Sequence, residues 1–441
     1  MLSLNFNLVR KSGLLKLDKI ILLYVFAIFF VDFYDTALYI GYSIYLRGLI
    51  FPESDVFEAI IKFATIFVVV QLFKVSGFIL YSYVKHYQMK IRYLPLVLFF
   101  ISSIGLAFFW GFGFVGKYSI QIFLLLRLCQ AFAIGAEICS ALKIINSNIA
   151  GERTKIAMYY FMLFAGECGI LVSVFINRTL LSHGTTLFQF MSDWRFQLVF
   201  SALLALFAIC LKLRYLTKYT YNNFSQKVFA FTIIRYWKLI LIRAGVSFYS
   251  FLLILVIVIR IPYILEYEYG LTHTVINHDL LLVTLMGFIG ANVAYMASKY
   301  VENFSLILFF YALSMIANCY FYQIKAFESS YSYITWILIT GFFYGIFLRM
   351  TPHILNSVTD FNSKSRLMGR YISYFFVYTV CSSIIIFSLD FMHYAHHSLN
   401  NSKKLADIPI LFILLCSFVG FLALLAYRPY YKKYYNRQWI F

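Results

Sequence analysis

The chain is built from apolar runs of roughly 20 residues that recur along its length, separated by short polar breaks. A helix rises about 1.5 Å per residue, so a run of that length crosses the hydrocarbon core of a bilayer. Lipid offers no partner to a bare backbone, and runs this long satisfy their own hydrogen bonds only as helices. They predict helices near 19–45, 57–83, 94–115, 118–147, 155–178 and 194–213. A second set is expected near 239–267, 278–298, 303–323, 331–354, 367–393 and 406–427. The expectation is an all-α membrane protein of about twelve spans, one more or less depending on the short break before residue 118.

Composition agrees. Of 441 residues, 62% are hydrophobic and 12% charged, with a mean hydropathy of +0.81. A soluble domain carries about 25% charged residues. The formal net charge of +19 does not point to nucleic acid, because the Lys and Arg residues sit between apolar runs rather than on one exposed face. Seven cysteines all fall inside apolar runs, with no CxxC pair. Buried thiols are expected, with no disulfide, metal site or cofactor. The basic start leads into an apolar run too long for a cleavable leader, so none is expected.

Loop charge sets the orientation. Basic residues gather in alternate breaks: Arg10 to Lys19, Lys85 to Arg92, Arg153 and Lys155, Lys212 to Lys238, Lys364 to Arg370, and Arg428 to Arg437. The positive-inside rule places these breaks and both termini in the cytoplasm of a bacterial inner membrane. Expected segments are a cytoplasmic start 1–18, a six-helix bundle 19–213, a basic linker 214–238, a second bundle 239–427 and a tail 428–441. Ser82-Tyr83-Val84 leading to Leu96–Phe100 is echoed by Ser298–Val301 leading to Leu306–Phe310, at matching places in the two bundles. Duplicated halves with a binding site near the bilayer midplane are a common transporter plan.

A charge within a span needs a reason. In the first helix Asp32, Asp35 and Tyr39 recur at i, i+3 and i+7, one helical face, with Tyr34 between them. Such carboxylates either exchange protons or pair with a basic residue on a neighbouring helix, and the residues leave both open. Two carboxylates one turn apart are expected to share protons and titrate together. In the fourth helix Arg127, Gln130 and Glu137 form a polar stripe about 80° wide, its ends about 15 Å apart. Arg127 sits too deep to snorkel, and its guanidinium suits a carboxylate of a substrate or of Asp32 or Asp35. Gly135, with Ala131 and Ala136, makes a thin surface where another helix can approach.

That stretch, Arg127-Leu-Cys-Gln130-Ala-Phe132-Ala-Ile-Gly135-Ala-Glu137, resembles the R-L-x-Q-G-F-x-x-G-G-E signature of the metabolite:proton symporter family of major facilitators. Asp32-Phe-Tyr-Asp35 with Leu38-Tyr39 is similar to that family's first-helix E-W-Y-D-F-x-L-Y. Phe51-Pro52 resembles its F-F-P, and Asp193-Trp194-Arg195 its G-W-R block. Arg260 to Leu265 and Arg366 to Tyr374 resemble later blocks, so the likeness runs in order from about residue 20 to 427. It implies the major facilitator fold, with two pseudo-symmetric six-helix halves. It also implies proton-coupled symport of a zwitterion or organic acid, with a small metabolite, H⁺ and lipid as partners of a monomer.

The departures lie in the gate loop. From Gly77 onward the family's loop Asp is replaced by His86, while Lys90 and Arg92 remain. In the second half the corresponding position is Lys299. A degenerate facilitator acting as a sensor or assembly partner is therefore the alternative reading. Glu167 is a further candidate proton or ion-pair site, and Arg260 and Arg349 are candidate substrate clamps. Asp390 and His393 fall near a helix end, and His396-His397 lacks further ligands for a metal. No loop is long enough for a membrane-bound transferase.

Overall fold

Uniformly apolar helices cannot hide all their faces in a protein core, so their outer faces must meet lipid. The computed structural model describes residues 16–42, 46, 49–52, 54, 56–83, 89–109, 116–148, 152–179, 194–215, 237–238, 240–242, 245–246, 253, 273–298, 300–324, 330–357 and 408–438, with a few side chains within these left out. Among them, every regular element is helical. There are α1 (Lys16–Gly41), α2 (Val56–Tyr83), α3 (Met89–Ala107), α4 (Ser119–Asn148), α5 (Glu152–Thr179) and α6 (Trp194–Tyr215). They are followed by α7 (His273–Ala297), α8 (Asn303–Gln323), α9 (Ser330–Ser357) and α10 (Ile408–Gln438). Windows long and apolar enough to span lie in α1, α2, α4, α6 and α8. Shorter apolar stretches occupy the other five.

The expected helix at 239–267 falls largely outside the described residues, and that at 367–393 wholly outside. Two bounds differ from expectation for one reason. Helix α3 begins at Met89 and α10 runs on to Gln438, well into the basic tail. Lys and Arg are good helix formers, so an apolar run marks the bilayer segment while the helix continues past it. Hence Lys90 and Arg92, expected in a loop, occupy the first turn of α3.

The chain divides into two compact units, Met1–Gln226 and Lys227–Phe441. Within the first, α1 packs on α5, α6 and α4, α2 packs on α4, and α3 packs on α4 and α6. Within the second, α7 packs on α9, and α8 packs on both α9 and α10. Leu72, Leu80, Leu94, Ile101, Leu125, Phe288, Phe309 and Ile316 point outward, as a lipid-facing surface requires. Cys210 and Cys319 share that outward orientation, contrary to the expectation of buried thiols. An apolar run does not tell its lipid face from its packed face.

One contact is built the same way in each unit. A Cβ on Gly77 of α2 would overlap the Phe132 carbonyl of α4, and a Cβ on Gly135 of α4 would overlap the Lys74 carbonyl of α2. In the second unit, Gly290 of α7 meets the Phe342 carbonyl of α9, and Gly345 of α9 meets the Gly287 carbonyl. Each pair brings two backbones together where only glycine fits. Gly77, expected at the head of the gate loop, is thus an interior packing residue of α2.

Candidate functional site

All the buried charges among the described residues lie in the first unit: Asp32, Lys74, Arg127, Glu137, Lys143 and Lys212. They form two separate clusters.

The first lies where α1, α2 and α4 meet. Asp32 forms an ion pair with Lys74 of α2, both buried. One turn on, Asp35 receives Arg127 of α4, whose Nη1 donates at 2.9 Å to Oδ2 and 3.2 Å to Oδ1. Gln130 ties this pair down: Arg127 donates to its Oε1, and its Nε2 donates to Asp35 Oδ1 at 3.0 Å and Ser103 Oγ at 2.9 Å. One guanidinium nitrogen therefore straddles the carboxylate, rather than two nitrogens meeting its two oxygens fork to fork. Every hydrogen bond of Arg127 among the described residues runs through Nη1.

The guanidinium also lies over the Tyr39 ring, 4.3 Å from its centroid. Tyr39 in turn stacks on Phe63 at 4.5 Å and Phe67 at 5.6 Å. An aromatic floor thus holds the cation from below by cation–π attraction, while carboxylate and amide hold its edge. Asp32, Asp35, Tyr39, Gln71, Lys74, Arg127 and Gln130 all line one cavity of about 30 Å³. The helical face expected from Asp32, Asp35 and Tyr39 is real and opens on this space. Each carboxylate has its own cation, Lys74 for Asp32 and Arg127 for Asp35.

The second cluster lies further along α4. Glu137 takes the ammonium of Lys212 of α6 at 2.6 Å and the hydroxyl of Tyr24 of α1. Lys212 also donates to Ser140 Oγ at 3.0 Å. Lys143, fully buried, donates to the Tyr81 carbonyl of α2 at 2.9 Å. Lys212 is therefore not a solvated linker charge, as its place near the end of an apolar run suggested. The polar stripe of α4 is split between the two clusters, because residues 127 and 137 stand nearly three turns apart.

The other candidates fall elsewhere. Tyr34 faces α6, where its hydroxyl donates to Gln197 Oε1 at 3.3 Å, and Gln197 donates to the Tyr42 hydroxyl at 2.9 Å. Glu167 is on α5 and Arg349 on α9, but their side chains lie outside the described residues, as do those of Lys90 and Arg92. His86, Arg260, Lys299, Asp390 and His393 lie wholly outside them. Lys74, Gln71, Ser103 and Lys143 are site residues that reading by loop charge passes over. Lys74 and Lys143 carried a signal, a charge within a spanning run. Gln71 and Ser103 carried none, being uncharged polar residues among many.

No family model and no curated protein matches this sequence. Solved structures do. A D-xylose-proton symporter superposes with a TM-score of 0.68 at 14% identity, covering 92% of this chain and 96% of its own. A partially occluded, inward-open form of the xylose transporter from E. coli gives 0.65 at 14%, covering 93% and 98%. A bacterial homologue of the iron transporter ferroportin, facing outward, gives 0.61 at 12%, covering 94% and 100%. The ten described helices thus belong to the two-halved, all-helical architecture of the major facilitators.

Proposed function

We propose that the chain is a secondary active transporter that symports a small zwitterionic or anionic metabolite with protons by alternating access. The observation that carries this is the set of two carboxylates and two cations, all buried except the half-buried Asp35, around one small cavity in a chain with the major facilitator fold. Asp32, Lys74, Asp35 and Arg127 together sum to zero charge. An anion entering so apolar a place adds a charge that must be neutralised. A proton on Asp35 does this and also releases Arg127, whose guanidinium then meets the substrate carboxylate. Proton and anion enter together because each removes the cost of the other. That one solved neighbour is a proton symporter supports the same reading.

The ordered motifs support a place near the metabolite:proton symporters, and loop charge supports a bacterial inner membrane with both termini cytoplasmic. Glu137 and Glu167 are secondary candidates for proton binding. The test is thermal stabilisation of the purified protein against a panel of osmolytes and organic acids. A ligand at 100 times its Kd stabilises by about 2.7 kcal/mol. A ligand found for wild type and lost in Arg127→Ala supports the clamp. A folded protein that responds to none favours the sensor or assembly reading, which also draws on both aspartates being already neutralised by a lysine and an arginine.

A further inference from the structure

Two polar atoms in the first cluster bond to nothing among the described residues: the Tyr39 hydroxyl and Gln71 Oε1. Tyr39 is 3% exposed and Gln71 6%, and both line the same cavity. Neither can easily turn away to find a partner. The Tyr39 ring is clamped between the Arg127 guanidinium and its aromatic neighbours Phe63 and Phe67. Gln71 sits one turn before Lys74, on the helix that glycine contact presses against α4. Buried polar atoms are nearly always paired, with protein or with an ordered guest.

We propose that this cavity is a built site for one neutral hydroxyl group, bridging the Tyr39 hydroxyl and Gln71 Oε1. Size sets the first limit, since about 30 Å³ is room for one or two water-sized groups. Charge sets the second. The lining carries two carboxylates and two cations already paired, so a lone ion would stand uncompensated in a low-dielectric space. Hydrogen-bond type sets the third. An amide oxygen only accepts, while a phenol both donates and accepts. A hydroxyl donates to Gln71 and accepts from Tyr39, and an amide turned the other way is answered equally well. An apolar guest leaves both groups unsatisfied. The hydroxyl belongs either to water or to a solute, and the site stands whether or not the chain transports anything.

Hydroxyl-radical footprinting by X-ray pulses, read by mass spectrometry on the purified full chain, tests this. Water held in the cavity forms radicals in place and oxidises the ring beside it. Tyr39 should label about tenfold faster than Tyr311, a buried tyrosine of the second unit whose hydroxyl donates to the Val246 carbonyl at 2.8 Å. Gln71→Leu removes the acceptor, and the Tyr39 rate should then fall to that of Tyr311. If this variant does not fold, the wild-type comparison decides alone. Glycerol is the probe for the source, with rates taken relative to exposed Tyr118 so that radical scavenging cancels. A ratio unchanged by glycerol assigns the hydroxyl to water, and a falling ratio assigns it to the solute; both support the site. Wild-type Tyr39 labelling no faster than Tyr311 means a dry cavity and overturns the proposal.

Discussion

Lys74 and Arg127 show why a buried ion pair must be read as a pair. Removing one member leaves its partner charged in an apolar space, which costs about 3–5 kcal/mol, whereas removing both is often neutral. Lys74→Met should therefore destabilise the protein strongly, and adding Asp32→Asn should restore most of the loss, as thermal unfolding in detergent will show. Failure of the second change to rescue would mean that Lys74 is held by something other than Asp32. Arg127→Lys keeps the charge but loses the planar group that lies on Tyr39 and bridges Asp35 to Gln130. Ligand binding should fall by tenfold or more in this variant, about 1.4 kcal/mol or above, as calorimetry with a hit from the panel would measure. Asp32, Asp35, Tyr39, Arg127 and Gln130 were legible because charge and amide are rare in spans and their spacing marks a face. Lys74 is passed over when basic residues are read as loop charge, although a charge within a spanning run is itself a signal.

At the level of whole helices, the close approach of α2 and α4 rests on Gly77 and Gly135. Small-to-large changes at packed sites cost about 1–3 kcal/mol, and here the obstacle is a backbone carbonyl that cannot rotate away. Gly135→Ala and Gly77→Ala should each lower the unfolding temperature, and Gly345→Ala should do the same through the matching contact of the second unit. A shift no larger than that of Ala131→Gly in parallel samples would contradict this. Gly135 was legible from its small neighbours Ala131 and Ala136. Gly77 was not, because a family loop motif drew it toward a loop, while the apolar run around it continues to Tyr83. Helix ends were misjudged in the same way at Met89 and Gln438, where helix formers extend beyond the apolar segment.

For the whole molecule, the repeating apolar runs predict helices, and every regular element among the described residues is helical. The fold itself was implied by the ordered motifs, and solved structures share it. What the apolar runs do not specify is which faces pack, because lipid and core ask for the same residues; Cys210 and Cys319 face outward for that reason. Orientation rests on loop charge, so reporter fusions at Tyr221 and at the C-terminus should both report cytoplasm, and a periplasmic signal at either would reverse it. The central claim is that the charges around the cavity couple a proton to a small solute. Its most direct measurement is proton entry into liposomes containing the protein, followed by a luminal pH dye as each member of the osmolyte and organic-acid panel is added outside. At least one solute should acidify the lumen through wild-type protein, and a protonophore should abolish its accumulation. Asp35→Asn should lose that acidification while still exchanging labelled solute across the membrane. A solute that accumulates with no proton movement, and equally well through Asp35→Asn, would contradict the account.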